Sequence, residues 1–591
     1  MAIGFMTNCS HNKYVSESRH PGVLAFGVNS IAGLFGLLLI LCYWQSVANA
    51  ETVMAPDYHI LVEDMRESIP GLLYQHDTAG LAVVLVDGDR IVWQQGFGKT
   101  KQKKGEAITA NTLFRYGSAS SLFIADAVMN EAEAGRLQLH RPVTHYLPYY
   151  NFSNRFDKQM PTLHDLLSHH GGLAVDYLKG KWRLPGESLI SLPSSFDLVS
   201  APRHVYVQST IGVELLAKVV QHSSNMPYRD YVNKYILGPI GIKRDVFETL
   251  GLKNLLASGH IDKKAKPVLA VRDKAAAGAY VSVNELGRYL KHVLASGSDN
   301  WRFQTKNRDV SLDLGSGFAY GWALSAFDIY NAGTIAHFSG ESLHYQSQTV
   351  VAPEHGLAVA VLANAFESRE LVDTVARDIL SGALKNKKGI QQYLPERAVP
   401  LKQTSMEGYY ATWRGLTRVY RKGNYLRLEM NNRPLYLIEG PELFKMQYRL
   451  LGMVPINVEA LNKIRLAFRT TADTDYMLAR FKGWDFVFGQ RVRRSELPVL
   501  WKNRLGTYKV VNNDSVLAVS DIELELIDGI LCVGYQAPPY IPERVNFPLK
   551  IVSDDKAVFA GIGRNLGEQI IFSRQDNKNQ LMFSGFVAQQ Q

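Results

Sequence analysis

The apolar positions change period along the chain, and the changes divide it. Apolar residues at helical spacing over Tyr58–His76 predict an opening helix. A continuous apolar run, Ala79–Val86, then turns at Asp87-Gly88-Asp89 into a second run, Arg90–Phe97, and the two predict paired strands. Helical spacing returns over Leu122–Ala134, Thr162–Ser168, Ile211–His222 and Val283–Leu294. Two more strand-like runs follow, Gln346–Val351 and Leu357–Asn364, joined by Pro353-Glu354-His355-Gly356, and a last helix is expected near Leu371–Leu384. Strands at both ends of the segment 58–385 with helices between them predict an α+β domain on one antiparallel sheet. Residues 386–403 are polar, contain two prolines and read as a linker. Beyond them short alternating segments dominate. Glu407-Gly408-Tyr409-Tyr410 and Leu505-Gly506-Thr507-Tyr508 open two similar series, which predict two small antiparallel, lipocalin-like β-barrels at 404–490 and 500–591. A single larger sandwich is the alternative.

The 591 residues are enough for about three to five domains. The net charge of +10 comes from Lys and Arg spread along the chain, a bias toward acidic partners such as an envelope polymer or a membrane surface. No nucleic-acid motif is present. The N-terminus (residues 1–50) changes the expected location. Lys13 and Arg19 precede an apolar run over Val23–Trp44, and Ala48-Asn49-Ala50 follows as a small-x-small pattern. That order reads as a signal peptide or an uncleaved membrane anchor, so the chain is expected to be exported, periplasmic or anchored facing outward. The three cysteines, Cys9, Cys42 and Cys532, have no metal-binding spacing, and no cofactor or metal is expected.

The candidate chemistry lies in Phe114-Arg115-Tyr116-Gly117-Ser118-Ala119-Ser120-Ser121, which runs into a helix. Alone, Ser118 reads as a helix cap. Downstream stand Glu133-Ala134-Gly135-Arg136-Leu137-Gln138-Leu139, Pro142–Pro148, Leu166-Leu167-Ser168-His169-His170-Gly171-Gly172-Leu173, Ala277-Gly278-Ala279-Tyr280 and Tyr320-Gly321-Trp322. In this order these segments resemble class C β-lactamases, low-molecular-weight penicillin-binding proteins and their esterase and D-aminopeptidase relatives. The resemblance covers about residues 60–384. It implies a β-lactamase/penicillin-binding-protein-like domain, here followed by the two barrels, and acyl transfer by Ser118. In that chemistry a lysine one turn later and a tyrosine from a Y-x-N motif move the proton, while a K-T-G or H-x-G strand meets the substrate.

All three motifs depart from the family pattern. The lysine position falls on Ser121. The second motif aligns on Gln208-Ser209-Thr210, and the third on Phe338-Ser339-Gly340, one residue after His337. Serine is a poor nucleophile without a base, and general-base help contributes roughly 10²–10⁴-fold. His337 is the preferred replacement base beside Ser118, with Tyr206, His169 and His170 as weaker candidates. Ser121, Gln208, Ser209, Ser339 and Gly340 are the expected substrate contacts, and Tyr177 and Trp182 could form a rim. Two functions follow. One is hydrolysis or acyl transfer on an ester or amide of D-amino-acid or cell-wall-peptide type, by an atypical mechanism. The other is a catalytically inactive pseudoenzyme that binds an envelope ligand, small-molecule or peptide, or a protein partner.

Overall fold

The computed structural model describes residues 57–591, except for 305–316, 389–405 and scattered single residues and stretches of at most three. The expected signal or anchor at 1–50 and most of the linker at 386–403 lie outside these residues. Among the described residues no helix is long and apolar enough to cross a membrane.

The run that opens the domain becomes β1 (Gly80–Asp87), buried at every position. Such a strand needs cover on both faces, and it has it. It pairs with β2 (Arg90–Gly98) on one side. The remaining strands come from the far end of the domain: β3 (Gly317–Phe318), β4 (Ala323–Ser325), β5 (Ile335–Ser342), β6 (Tyr345–Ala352) and β7 (Leu357–Ala363). The order is β3-β4-β5-β6-β7-β1-β2, antiparallel throughout, so β1 meets β7 across nearly three hundred residues of chain, Leu81 opposite Ala363.

Alternation sends Leu81, Val83 and Leu85 to one face, where they pack with helix α1 (His59–Gln75) and the final helix α5 (Arg369–Lys388). Ala82, Val84 and Val86 face the other way, into a larger core with α2 (Leu122–Glu133), α3 (Thr210–Ser224) and α4 (Val283–Ala295). Serines set two of the helix starts. Ser282 and Glu285 form a reciprocal capping box on α4, and Ser209 caps α3 by accepting from Gly212. The final helix continues through Lys388, so the first residues expected as linker are helical; a run of lysines in the last turn suits the negative end of the helix dipole.

The C-terminal third forms two closed eight-stranded antiparallel barrels rather than one sandwich. In the first, the strand Arg433–Glu439 pairs with Phe444–Leu450 and closes the ring, and Val454–Ile456 is appended outside it. The second closes by pairing Gly506–Val510 with Phe586–Gln590. Its interior is filled by aromatic rings, among them Tyr535, Phe547, Phe559 and Phe583. Both barrels reach the cleft described next.

Candidate functional site

Ser118 stands at the turn between the sheet and α2. Gly117 and Ser121 bound a short 3-10 helix. Gly117 has φ +63°, and a side chain there would come 2.6 Å from the Glu341 carbonyl, so only glycine lets this turn sit against β5. Gly340 is the counterpart on the strand. A Cβ on it would lie 2.2 Å from the Tyr116 carbonyl. These two close approaches bring Ser118 to the uncovered edge of β5, where its Oγ donates to the Glu341 carbonyl at 3.2 Å.

Ser118 is partly exposed on the floor of a cavity of about 400 Å³. Gln208, Ser339 and His337 also border it, whereas Ser121, Ser209 and Gly340 do not. Ser121 is buried and returns its hydroxyl to the Ser118 carbonyl at 2.7 Å. Ser209 is spent on its helix cap and on Ala174. Gly340 serves packing. Ser339 Oγ donates to Gln348 Oε1 at 2.5 Å across the β5–β6 pair. Thr210, at the asparagine position of the second motif, gives its hydroxyl to the Val175 carbonyl at 2.9 Å and to Asp176.

Among the described residues the Ser118 hydroxyl makes no hydrogen bond to His337, although both border the cavity. Along β5, Ala336 and Phe338 join the core that holds Tyr116 and Ala119, while Ile335 joins the opposite one. By strand alternation His337 belongs with Ile335, and its ring lies 5.0 Å from that of Phe327 in the same opposite core. Burial, then the charge of Arg369, holds its imidazole down to about 3. His169 also borders the cleft, held down to about 4 by burial and by His170. Tyr206 is stacked on Phe318 with ring centres 3.8 Å apart.

These depressed histidines fix the sign of a pH effect. At neutral pH they are uncharged in both folded and unfolded chains. As pH falls below about 6.5 the unfolded chain gains protons that the folded one refuses, so stability drops from there toward about pH 3. His337→Gln is therefore expected to gain melting temperature relative to the unaltered chain as pH falls from about 7 to about 5, in a thermal scan of both proteins across that range.

Sequence reasoning missed the most highly charged part of the cleft. Asp176 and Lys181 form an ion pair with side chains 5% and 8% exposed, and both border the cavity. Arg369 and Asp373, at the start of α5, add a second pair at 3.3 Å. The remaining wall is largely aromatic. Trp322 and Phe338 come from the hydrolase-like domain, Trp413 and Phe486 from the first barrel and Tyr540 from the second. The cleft is thus roofed by all three domains, apart from the polar groups named. Among the described residues no group of three His, Cys, Asp or Glu side chains is placed to hold a metal ion.

A family model described as Beta-lactamase matches residues 59–384. Protein flp of Staphylococcus aureus (strain MW2) is 20% identical over 328 residues, 51% of this chain and 64% of that protein. The chain therefore spans less than two thirds of that relative's length. The solved structure of SurE with D-Leu superposes with a TM-score of 0.51 at 18% identity, covering 73% of this chain and 99% of that one. An octameric penicillin-binding protein homologue from Pyrococcus abyssi gives 0.48 at 21% identity, covering 72% and 99%.

Proposed function

Since the chain belongs to the Beta-lactamase family, with more than half of its 591 residues matched, we propose that it keeps that family's acyl-ligand cleft and uses it to bind rather than to turn over. The ligand is a small ester or amide of the D-amino-acid or cell-wall-peptide class, met on the outer side of the membrane after export. One observation carries the reading. Among the described residues, the hydrogen bond of the Ser118 hydroxyl goes to the Glu341 carbonyl alone. A carbonyl oxygen cannot take up the proton as Ser118 attacks. The family's lysine position, Ser121, is turned back onto the main chain, and its tyrosine position, Gln208, carries an amide that is no base. The amine in the cleft, Lys181, donates to Asp176.

The same geometry gives Ser118 a supporting part. Its hydroxyl offers one neutral hydrogen bond to a ligand, worth about 0.5–1.5 kcal/mol. Ser118→Ala is therefore expected to bind a cell-wall peptide fragment within about tenfold of the unaltered chain, by calorimetry. Loss of all binding in a folded Ser118→Ala protein would contradict the reading. Acyl transfer through Ser118 is the second reading. It is favoured by the partial exposure of Ser118 on the cleft floor, where an electrophile could reach it.

A further inference from the structure

Lys181 is 6% exposed, yet it borders the cleft. Its ammonium has three donors. One goes to Asp176, and its Nζ stands 5.8 Å from the centre of the Trp182 ring. Among the described residues the other two donors have no hydrogen-bond partner. Buried donors left unmade are costly, and burying an ion pair is itself a poor route to stability. The pair is also held rigidly. Thr210 donates to Asp176, and the loop that carries Lys181 is clamped onto the second barrel. Leu178 packs into that barrel's core. The Leu178 N–H donates to Ser584 Oγ at 2.9 Å, and the Gly180 N–H to Asp514 at 2.6 Å. Past Lys181, Arg183 pairs with the same Asp514. A loop fixed on both sides of one buried cation, facing an aromatic cavity, is built to present that cation.

We propose that Lys181 is the anchor for a ligand carboxylate, and that the ligand is an acid with an apolar or aromatic body filling the rest of the cleft. The inference rests on the binding reading above. It moves charge recognition away from the third-motif strand, where Phe338-Ser339-Gly340 has no cation, onto a loop held by a barrel. The second barrel then acts as the support that sets the position of Lys181. The ligand carboxylate would share the Lys181 ammonium with Asp176, the carboxylate already paired with it. Glu568 of that barrel is pushed up to about 8 by burial and by Asp176, which keeps it largely uncharged at neutral pH.

The test uses the full chain with two isosteric probes, 4-phenylbutanoate and 4-phenylbutanamide, followed by the fluorescence of the cleft tryptophans. The carboxylate is expected to bind about tenfold more tightly than the amide, as a charge-assisted hydrogen bond implies. Lys181→Met is expected to abolish the preference, and Lys181→Arg to keep part of it. Asp176→Asn/Lys181→Met, which leaves no buried charge unpaired, guards against a folding defect and should also show no preference. Equal affinity for both probes in the unaltered chain, a preference that survives in the two Met variants, or no saturable binding of either probe at millimolar concentration would overturn the assignment. The binding reading fails by a different result, a covalent adduct on Ser118 from an activated ester, so the two failures can be told apart.

Discussion

Asp176→Ala is expected to destabilise the protein by about 3–5 kcal/mol, read as a lower urea midpoint at constant slope. The alanine removes the partner of an ammonium whose side chain is 8% exposed. It also strips Thr210 of one acceptor. In Asp176→Ala/Lys181→Met no orphaned charge remains, and most of the stability should return. The coupling between the two sites is then the difference between the double variant and the sum of the single ones. Single variants whose effects simply add would show that the pair does not act as a unit.

Ser121→Lys/Gln208→Tyr is expected to make Ser118 react with a fluorophosphonate at least about 10²-fold faster than in the unaltered chain. Ser118 and Ser121 lie three residues apart in a 3-10 turn, where side chains at that spacing eclipse. A lysine at 121 would rise beside the Ser118 hydroxyl. Burial there disfavours its charged form and makes the amine a better base. Gln208 already borders the cleft, so a tyrosine placed there can share the proton. Time-resolved intact-mass measurement reads the rate. No acceleration in a folded double variant would mean that the cleft has lost more than two side chains.

The two results bear on how much of this molecule was legible in its sequence. The sheet was. β1 is a buried apolar run, and the β6–β7 hairpin keeps its turn at Pro353–His355, because local pattern and burial agree there. The position of Ser118 was also legible, since the glycine before it is required by the turn that holds it. The pairing of Ser118 with His337 was not, because strand parity decides it. His337 is one residue from Phe338, and one residue on a strand is the difference between the two faces of the sheet. The Asp176–Lys181 pair escaped for another reason. Its members lie five apart in an irregular loop, a spacing with no periodic signature, and the loop takes its shape from contacts with Ser584 and Asp514 some three to four hundred residues away. The aromatic roof was hidden similarly. Trp413 and Tyr540 read as barrel residues, and only the packing of the barrels against the domain turns them toward the cleft.

What separates binding from turnover is whether Ser118 can be acylated. The most direct measurement is intact-mass and peptide mass spectrometry of the unaltered full chain after incubation with a fluorophosphonate and, separately, with benzylpenicillin. The account predicts an unmodified Ser118 with both reagents, in a protein that still binds its ligand. A stoichiometric mass increase mapped to Ser118 with either reagent would contradict it and establish acyl transfer in its place.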